Sequence, residues 1–285
     1  MNPLVVPPHA LWTSWSFEPA VVGGIVAMLS AYAVGVRRLW SRGRGRGVTV
    51  WQTVSFSAGV LVLVVALVSP LDGLAETLFS AHMVQHLLLI LGAPPLLVAG
   101  SAGSTMALAL PLSMRRRLRT WERHAVTRGV TGTIARPVPV LILHITALYI
   151  WHLPVMYQAA LRSNLIHGLE HASFSGTALL FWWLIIDEKG QRRLGDGPAV
   201  VFVFISGLAS GGLGALLTFA PTALYPMHAL GARLWGLTPL QDQQLAGLIM
   251  WVPAGVVYVL AAAVLFLRWM SKMDAAVAGE GSVVG

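Results

Sequence analysis

The sequence contains no cysteine. No disulfide can form and no thiolate can bind a metal ion, so any metal site in this protein must use other ligands. Charged side chains are also scarce: they make up 11% of the 285 residues, while 56% are hydrophobic. In soluble proteins about a quarter of all residues are charged. The sequence also lacks the alternating apolar and polar segments of a membrane β-barrel. These shortages predict an integral membrane protein made of helices.

Hydropathy predicts an all-α polytopic protein that crosses the membrane seven times. Each apolar segment is close to the roughly 20 residues that a helix needs to cross a bilayer, where it satisfies its own backbone hydrogen bonds. The predicted spans cover residues 20–38, 50–69, 76–98, 138–156, 166–186, 199–220 and 246–268. We expect a single seven-helix transmembrane domain over residues 1–272 and a short, disordered cytoplasmic tail over residues 273–285.

The basic residues lie in alternate loops. All but two of the 19 lysines and arginines, the exceptions being Arg162 and Arg233, follow spans one, three, five or seven. The positive-inside rule therefore predicts that the N-terminus is outside and the C-terminus is cytoplasmic. This topology also accounts for the net charge of +8 and for SRGRGRG at residues 41–47, so we expect no nucleic-acid partner. The N-terminus lacks a basic region, and no cleavable signal peptide is expected.

Two apolar stretches differ from ordinary membrane spans, one in its length and one in its many small residues. Residues 76–112 are too long for one ordinary span and are interrupted by GAPP at residues 92–95, where proline kinks or ends a helix. A second crossing would place the arginines at 115–119 outside, so we predict one kinked span followed by a re-entrant or interfacial piece at residues 99–112. The small residues of SGLASGGLGA at 206–215 predict a closely packed helix pair.

Five of the nine histidines are predicted at a similar depth near the outer face. His82 and His86 are four residues apart, as are His167 and His171, so each pair projects from one face of its helix. His152 lies near the outer end of the fourth span. Ionisable residues at membrane depth are costly and mark functional sites. One such histidine favours a simple interhelical hydrogen bond, but five at one depth favour a shared site.

The two histidine pairs predict a metal site between facing helices. Imidazole suits copper and zinc, and a thioether such as that of Met83 favours Cu(I). A set of histidine and methionine without cysteine, on an oxidising face, predicts copper, with zinc as the alternative. Glu170, Asp242 and Gln243 are predicted to orient the rings or tune their protonation.

Other functions fit parts of the same pattern. HGLEH at residues 167–171 matches the H-x-x-E-H string of a zinc peptidase, which makes an intramembrane metallopeptidase one alternative. Haem ligation by histidines on facing helices is a second alternative, although haem takes one histidine from each face, whereas pairs four residues apart favour a bare ion. A scaffold whose histidines only bond to neighbouring helices is a third.

Four segments together resemble the CtaG family, the multi-pass assembly factors associated with caa-type bacterial cytochrome c oxidases. They are SAHMVQHLLLILGAPPLL at 80–97, WHLPVMYQAAL at 151–161, HGLEHASFSGTALLFWW at 167–183 and DQQLAGLIMWVP at 242–253. The resemblance implies a non-enzymatic role in maturing the oxidase at its copper centres, in a bacterial plasma membrane. It implies oxidase subunits, an extracytoplasmic copper donor and membrane lipid as partners. The positions that fall in the matching segments are His82, Met83, His86, His152, His167, Glu170, His171, Asp242 and Gln243.

Overall fold

The computed structural model describes residues 5–41, 43–123, 136–186 and 194–281, and all regular structure in these ranges is helical. The α-helices are α1 (Pro19–Trp40), α2 (Val50–Leu67), α3 (Pro70–Thr77), α4 (Phe79–Leu87), α5 (Ala93–Ala99), α6 (Ala102–Ala107), α7 (Leu112–Arg123), α8 (Pro137–Trp151), α9 (Pro154–Arg162), α10 (Asn164–Ile186), α11 (Asp196–Thr218), α12 (Ala229–Leu234) and α13 (Pro239–Gly281). Short 3-10 helices cover Pro8–Thr13 and Pro226–His228, and a π-helix covers Leu88–Gly92.

The chain is a polytopic membrane protein with six or seven candidate crossings. Helices α1, α2, α10, α11 and α13 and the continuous segment Phe79–Ala99 are each long and apolar enough to span a bilayer. The fourth predicted span, residues 138–156, is instead two helices, α8 and α9, bent by 74°. Pro154 fits the first turn of α9 but cannot continue the hydrogen bonds of α8, so the helix breaks at His152. The orientation of the termini stays a prediction, and the basic segments at 124–135 and 187–193 lie outside the described residues.

The segment Phe79–Ala99 is the centre of the bundle. Of its most apolar window, 56% is buried, against 17% for α1 and 22% for α2. The interruption predicted at residues 92–95 is the π-helix Leu88–Gly92, followed by α5, whose first turn contains Pro94. The Trp182 indole on α10 donates a hydrogen bond of 3.0 Å to the Ile90 carbonyl of this π-turn. The irregular backbone is therefore anchored to α10, the helix that also carries His167 and His171.

The packing of α11 against α13 confirms the predicted role of the small residues at 206–215. A Cβ on Gly214 would lie 2.7 Å from the carbonyl oxygen of Gly247, and a Cβ on Gly247 would lie 2.6 Å from the carbonyl oxygen of Gly214. Both distances are too short for a side chain, so the two backbones touch directly.

The piece at residues 99–112 turns back onto α1. Gly35 of α1 lies directly against the backbone of Thr105 in α6, and the Arg38 guanidinium donates a hydrogen bond to the Leu108 carbonyl. These contacts fit the predicted re-entrant or interfacial piece rather than a further crossing. At the other end of the chain, α13 continues to Gly281 and so includes part of the segment 273–285 that is predicted to be a disordered tail.

Candidate metal centre

Helices α4 and α10 bring four histidines together. His82 and His86 on α4 are buried, with exposed fractions of 0% and 2%, because α4 begins the central segment of the bundle. The ring of His82 lies 5.6 Å from that of His167 and 6.3 Å from that of His171, and the ring of His86 lies 5.7 Å from that of His171. Two histidine pairs that are about 85 residues apart in the chain thus meet in one cluster, which we call the histidine cluster.

Glu170 lies within the histidine cluster. Its Oε1 atom is 3.6 Å from His86 Nε2 and 3.9 Å from His82 Nε2. The side chain is fully buried. Of the three residues predicted to support the ligands, Glu170 is the one whose carboxylate faces imidazole nitrogens directly.

Most polar atoms of the histidine cluster have no hydrogen-bond partner in the described part of the chain. Both ring nitrogens of His82 and His86, both carboxylate oxygens of Glu170 and the Nε2 atoms of His167 and His171 are buried without one. Buried polar atoms in folded proteins are nearly always partnered, and each exception costs about 1–3 kcal/mol. Such a concentration of unpartnered donor atoms at one point is typical of a site that binds a ligand.

The donor atoms fit a metal ion. Ligand atoms of His82, His167 and His171 all lie within 4.8 Å of one another, as do those of His82, His86 and Glu170. Nitrogen and oxygen ligands sit at about 2.0–2.2 Å from an ion such as zinc, so two of them stand at most about 4.4 Å apart. Side-chain rotations that move the ligand atoms by less than about 1 Å would therefore bring either set onto one ion. Because His82 belongs to both sets, the two positions adjoin.

His152 faces Met83 next to the histidine cluster. Its ring lies 5.9 Å from the ring of His86. His152 Nδ1 is 2.6 Å from the Leu148 carbonyl, which can only accept, so Nδ1 carries the proton. Nε2 of the neutral ring is then a bare lone pair, and it lies 3.3 Å from the sulfur of Met83. Two electron-pair donors face each other at this distance, an arrangement that a proton or a soft cation between them would stabilise.

Asp242 positions α4. Its Oδ2 accepts a hydrogen bond of 2.8 Å from the Phe79 N–H, and its Oδ1 accepts bonds of 3.0 Å and 2.5 Å from the N–H and hydroxyl of Ser80. A carboxylate at this place caps the N-terminus of the helix and interacts favourably with its dipole. Asp242 therefore acts on the helix that carries His82 and His86, through the backbone rather than through an imidazole ring.

Gln243 has a similar role in a different part of the bundle. Its amide donates to the carbonyls of Leu217 and Thr222, each at 3.3 Å, and its Oε1 accepts a bond of 2.6 Å from the Leu224 N–H. These bonds attach the end of α11 and the following loop to α13.

A buried tyrosine–histidine pair supports the histidine cluster and was not among the predicted site residues. The Tyr157 hydroxyl donates to His228 Nε2 at 2.7 Å, and His228 Nδ1 donates to the Thr77 carbonyl at 3.2 Å. Burial lowers the pKa of His228, which matches a neutral ring that accepts at Nε2. The Tyr157 ring lies 5.0 Å from the ring of His82, so this pair holds one side of His82. No local sequence motif indicates it.

A cavity of about 410 Å³ opens beside the histidine cluster. His167 and His171 line it, together with Glu18, Asp72 and Glu76. We call these three carboxylates the acidic vestibule. Burial raises the pKa of Asp72 and of Glu76, and the neighbouring charge of Asp72 adds to the shift at Glu76. Asp72 and Glu76 are four residues apart on α3, a spacing that could have indicated them from the sequence.

Removing the Asp242 cap is expected to destabilise the protein and weaken metal binding together. In Asp242→Ala the buried N–H groups of Phe79 and Ser80 lose their acceptor, which costs about 1–2 kcal/mol of stability, and α4 loses the contact that sets its position. Thermal unfolding in detergent and metal titration measure the two effects. Asp274→Ala, at an exposed position near the end of α13, should change neither. Wild-type stability in Asp242→Ala would contradict the capping role.

Comparison with known proteins gives one family match. The Caa3_CtaG family model, described as cytochrome c oxidase caa3 assembly factor, matches residues 30–272, an interval that contains every helix of the histidine cluster. Uncharacterized proteins of Mycobacterium bovis and Mycobacterium tuberculosis are each 25% identical to this chain over 274 residues, which cover 94% of the chain and 41% of theirs. The chain thus spans about two-fifths of the length of these relatives. No solved structure matches the chain significantly.

Proposed function

We propose that this chain, which belongs to the CtaG family of cytochrome c oxidase caa3 assembly factors, binds copper in the histidine cluster and assists its delivery to the nascent oxidase. The observation that carries the proposal is the set of unpartnered, buried nitrogen and oxygen atoms on His82, His86, Glu170, His167 and His171. In this proposal the cluster faces the extracytoplasmic side of a bacterial plasma membrane, where a copper donor supplies the ion. The role is non-enzymatic.

A metal ion accounts for the histidine cluster better than hydrogen bonds among its members. His82 and Glu170 approach each other at 3.9 Å and His86 and Glu170 at 3.6 Å, both too long for hydrogen bonds. A cation would satisfy the lone pairs of the imidazoles and of the carboxylate at once, and buried charges are normally paired or bound to metals.

The contact between His152 and Met83 favours copper over zinc. Thioether sulfur is a soft ligand that selects Cu(I), whereas zinc sites use nitrogen, oxygen and thiolate. Met83 is fully buried, and its sulfur faces the nitrogen of His152 that remains free to bind a metal. A copper ion in the histidine cluster thus has a soft ligand pair next to it.

The shared ligand suggests how copper is released. His82 belongs to both three-residue sets, so an ion can exchange His167 and His171 for His86 and Glu170 while it stays bound to His82. From there the ring of His86 lies 5.9 Å from that of His152. A series of neighbouring ligands lets the ion move without ever being uncoordinated, as delivery to a partner requires.

The zinc-peptidase and haem-binding alternatives are less well supported. A zinc peptidase must admit the carbonyl of a polypeptide to its glutamate, but Glu170 and His82 are fully buried. A haem takes one axial histidine from each face, and here paired histidines of α4 and α10 crowd one point, with His82 and His86 ring centroids 4.2 Å apart.

Metal analysis of the purified chain tests the proposal. Protein expressed with both copper and zinc in the medium is expected to hold about one copper per chain, to lose it to a chelator and to show no Soret absorbance. The reason is that the donor set binds a bare ion. In cells that lack this chain, the oxidase should contain less copper, and restoring the chain should restore it. Zinc alone, haem, or no metal in repeated preparations would contradict the proposal.

A variant of Met83 forms the second arm of this experiment. Met83→Leu keeps a similar volume but removes the sulfur, so the affinity for Cu(I) should fall about tenfold while the affinity for Zn(II) stays unchanged. Met250→Leu is the matched control, because Met250 is buried in the hydrophobic core. Equal effects of Met83→Leu on both metals would show that the sulfur does not select copper.

A further inference from the structure

The acidic vestibule and two histidines of the histidine cluster line the same cavity. One cavity between α1, α2, α3 and α10 is lined both by Glu18, Asp72 and Glu76 and by His167 and His171. The Nε2 atoms of these two histidines are buried and unpartnered. Behind them lies His82, which is fully buried and whose two ring nitrogens are unpartnered as well.

The charge of this cavity has one sign. Three carboxylates line it, and in the described part of the chain no lysine or arginine does. Glu18 is exposed just before the first turn of α1, whereas Asp72 and Glu76 are half-buried. Clefts lined by one charge with low-dielectric walls concentrate counter-ions and raise association rates by about 10–10³-fold. The lining of this cavity therefore attracts cations.

Asp72 is held at the cavity wall by a hydrogen bond from α4. Gln85 donates hydrogen bonds of 2.7 Å to Asp72 Oδ1 and of 2.8 Å to the Ala66 carbonyl. Gln85 is on α4 between His82 and His86, so this bond attaches Asp72 to the helix of the histidine cluster. Asp72 is thus fixed at the cavity wall rather than free to swing into the cluster.

We infer that the acidic vestibule is the entry port through which a hydrated metal cation reaches the histidine cluster, an inference that rests on the proposed function. Glu18, Asp72 and Glu76 draw the cation into the cavity, where it keeps most of its water. His167 and His171 are the first imidazoles that it meets, and they pass it to His82, 5.6 Å from His167. The port sits at the end of the bundle where α1 and α10 begin and α2 ends.

Stopped-flow measurement of Cu²⁺ uptake by the purified full chain tests this port. Copper quenching of tryptophan fluorescence reports binding, and a competing chelator reports dissociation. The variant that combines Glu18→Gln, Asp72→Asn and Glu76→Gln removes the three charges but keeps the shape of the side chains. The asparagine oxygen can still accept the hydrogen bond from Gln85. We expect its association rate constant to fall about tenfold at low salt. Its dissociation rate and its copper per chain should match wild type.

The dependence of the association rate on salt gives a second measurement. Screening shortens the reach of these charges to about 8–10 Å at 0.1–0.15 M salt, so wild-type association should slow as KCl is added, while the triple variant should respond little. Glu18→Gln alone should give a partial effect, and Asp274→Asn, at an exposed site near the far end of α13, should give none.

The outcomes separate the port from the metal site. If the triple variant binds copper at the wild-type rate with the wild-type salt response, the vestibule is not the port, although the metal site stands. If dissociation accelerates instead, the carboxylates are ligands, and the port is likewise overturned. If wild type itself takes up no copper, the proposed function fails and the port fails with it.

Discussion

His82→Ala is expected to reduce the copper held by the purified protein to about a tenth of wild type or less. His82 contributes to both three-residue donor sets, so its loss leaves neither complete, and even the loss of residues that only support a ligand lowers metal affinity by about 10–100-fold. Loss of His86 or His171 should have smaller effects, because each of these residues belongs to one set only.

The control for this experiment must keep the fold and change the number of histidines. His9→Ala removes an exposed histidine from the 3-10 helix Pro8–Thr13 and should retain all copper. Thermal unfolding shows whether His82→Ala is folded, and His82→Asn, which fills more of the space beside Tyr157, provides a second variant. Undiminished copper in the folded His82→Ala, His86→Ala double variant would place the metal site elsewhere.

Glu170→Gln is expected to have opposite effects on the metal-free and the metal-bound protein. Without metal, the buried carboxylate has no hydrogen-bond partner, whereas a glutamine amide can donate to the nearby imidazole nitrogens. The variant should therefore be more stable than wild type by about 1 kcal/mol. With metal, it lacks an anionic ligand, and the stabilisation of about 2.7 kcal/mol expected at a hundredfold excess of ligand over the dissociation constant should largely disappear.

Thermal unfolding with and without Cu²⁺ measures both effects of Glu170→Gln in one series. Asp274→Asn controls for the loss of a negative charge at an exposed site and should leave both unfolding curves unchanged. A purely structural Glu170 predicts the reverse pattern, with lower stability and unimpaired copper binding, and that pattern would rule out the ligand role. A higher stability of metal-free Glu170→Gln would itself support a binding role for Glu170, because binding sites commonly hold groups that destabilise the unbound protein.

Local spacing was sufficient to predict much of the helical structure and part of the candidate site. Apolar segments near 20 residues predicted the spans. They did not predict the form of the fourth one, because Pro154 divides it into α8 and α9 with a bend of 74°. The spacing of four between His82 and His86, and between His167 and His171, placed each pair on one helix face. That inference needs only helix geometry, so it held without knowledge of the neighbouring helices.

The contacts between helices were beyond such reasoning. Asp242 was predicted to act on the imidazoles but caps α4 through Phe79 and Ser80, which precede it by more than 160 positions. His152, at the end of α8 before the bend, lies with its Nε2 3.3 Å from the sulfur of Met83, which is 69 positions away in the chain. The cavity beside the histidine cluster combines residues from before α1, from α3 and from α10.

The sequence by itself determined that this is a helical membrane protein without thiol chemistry, and which face of each helix carries its histidines. These properties follow from composition and from helix periodicity, which are local. Only the tertiary structure decided that α4 and α10 face each other, that Glu170 lies between their imidazoles and that three carboxylates border them. Such placements depend on packing between segments far apart in the chain, and no local pattern of residues encodes them.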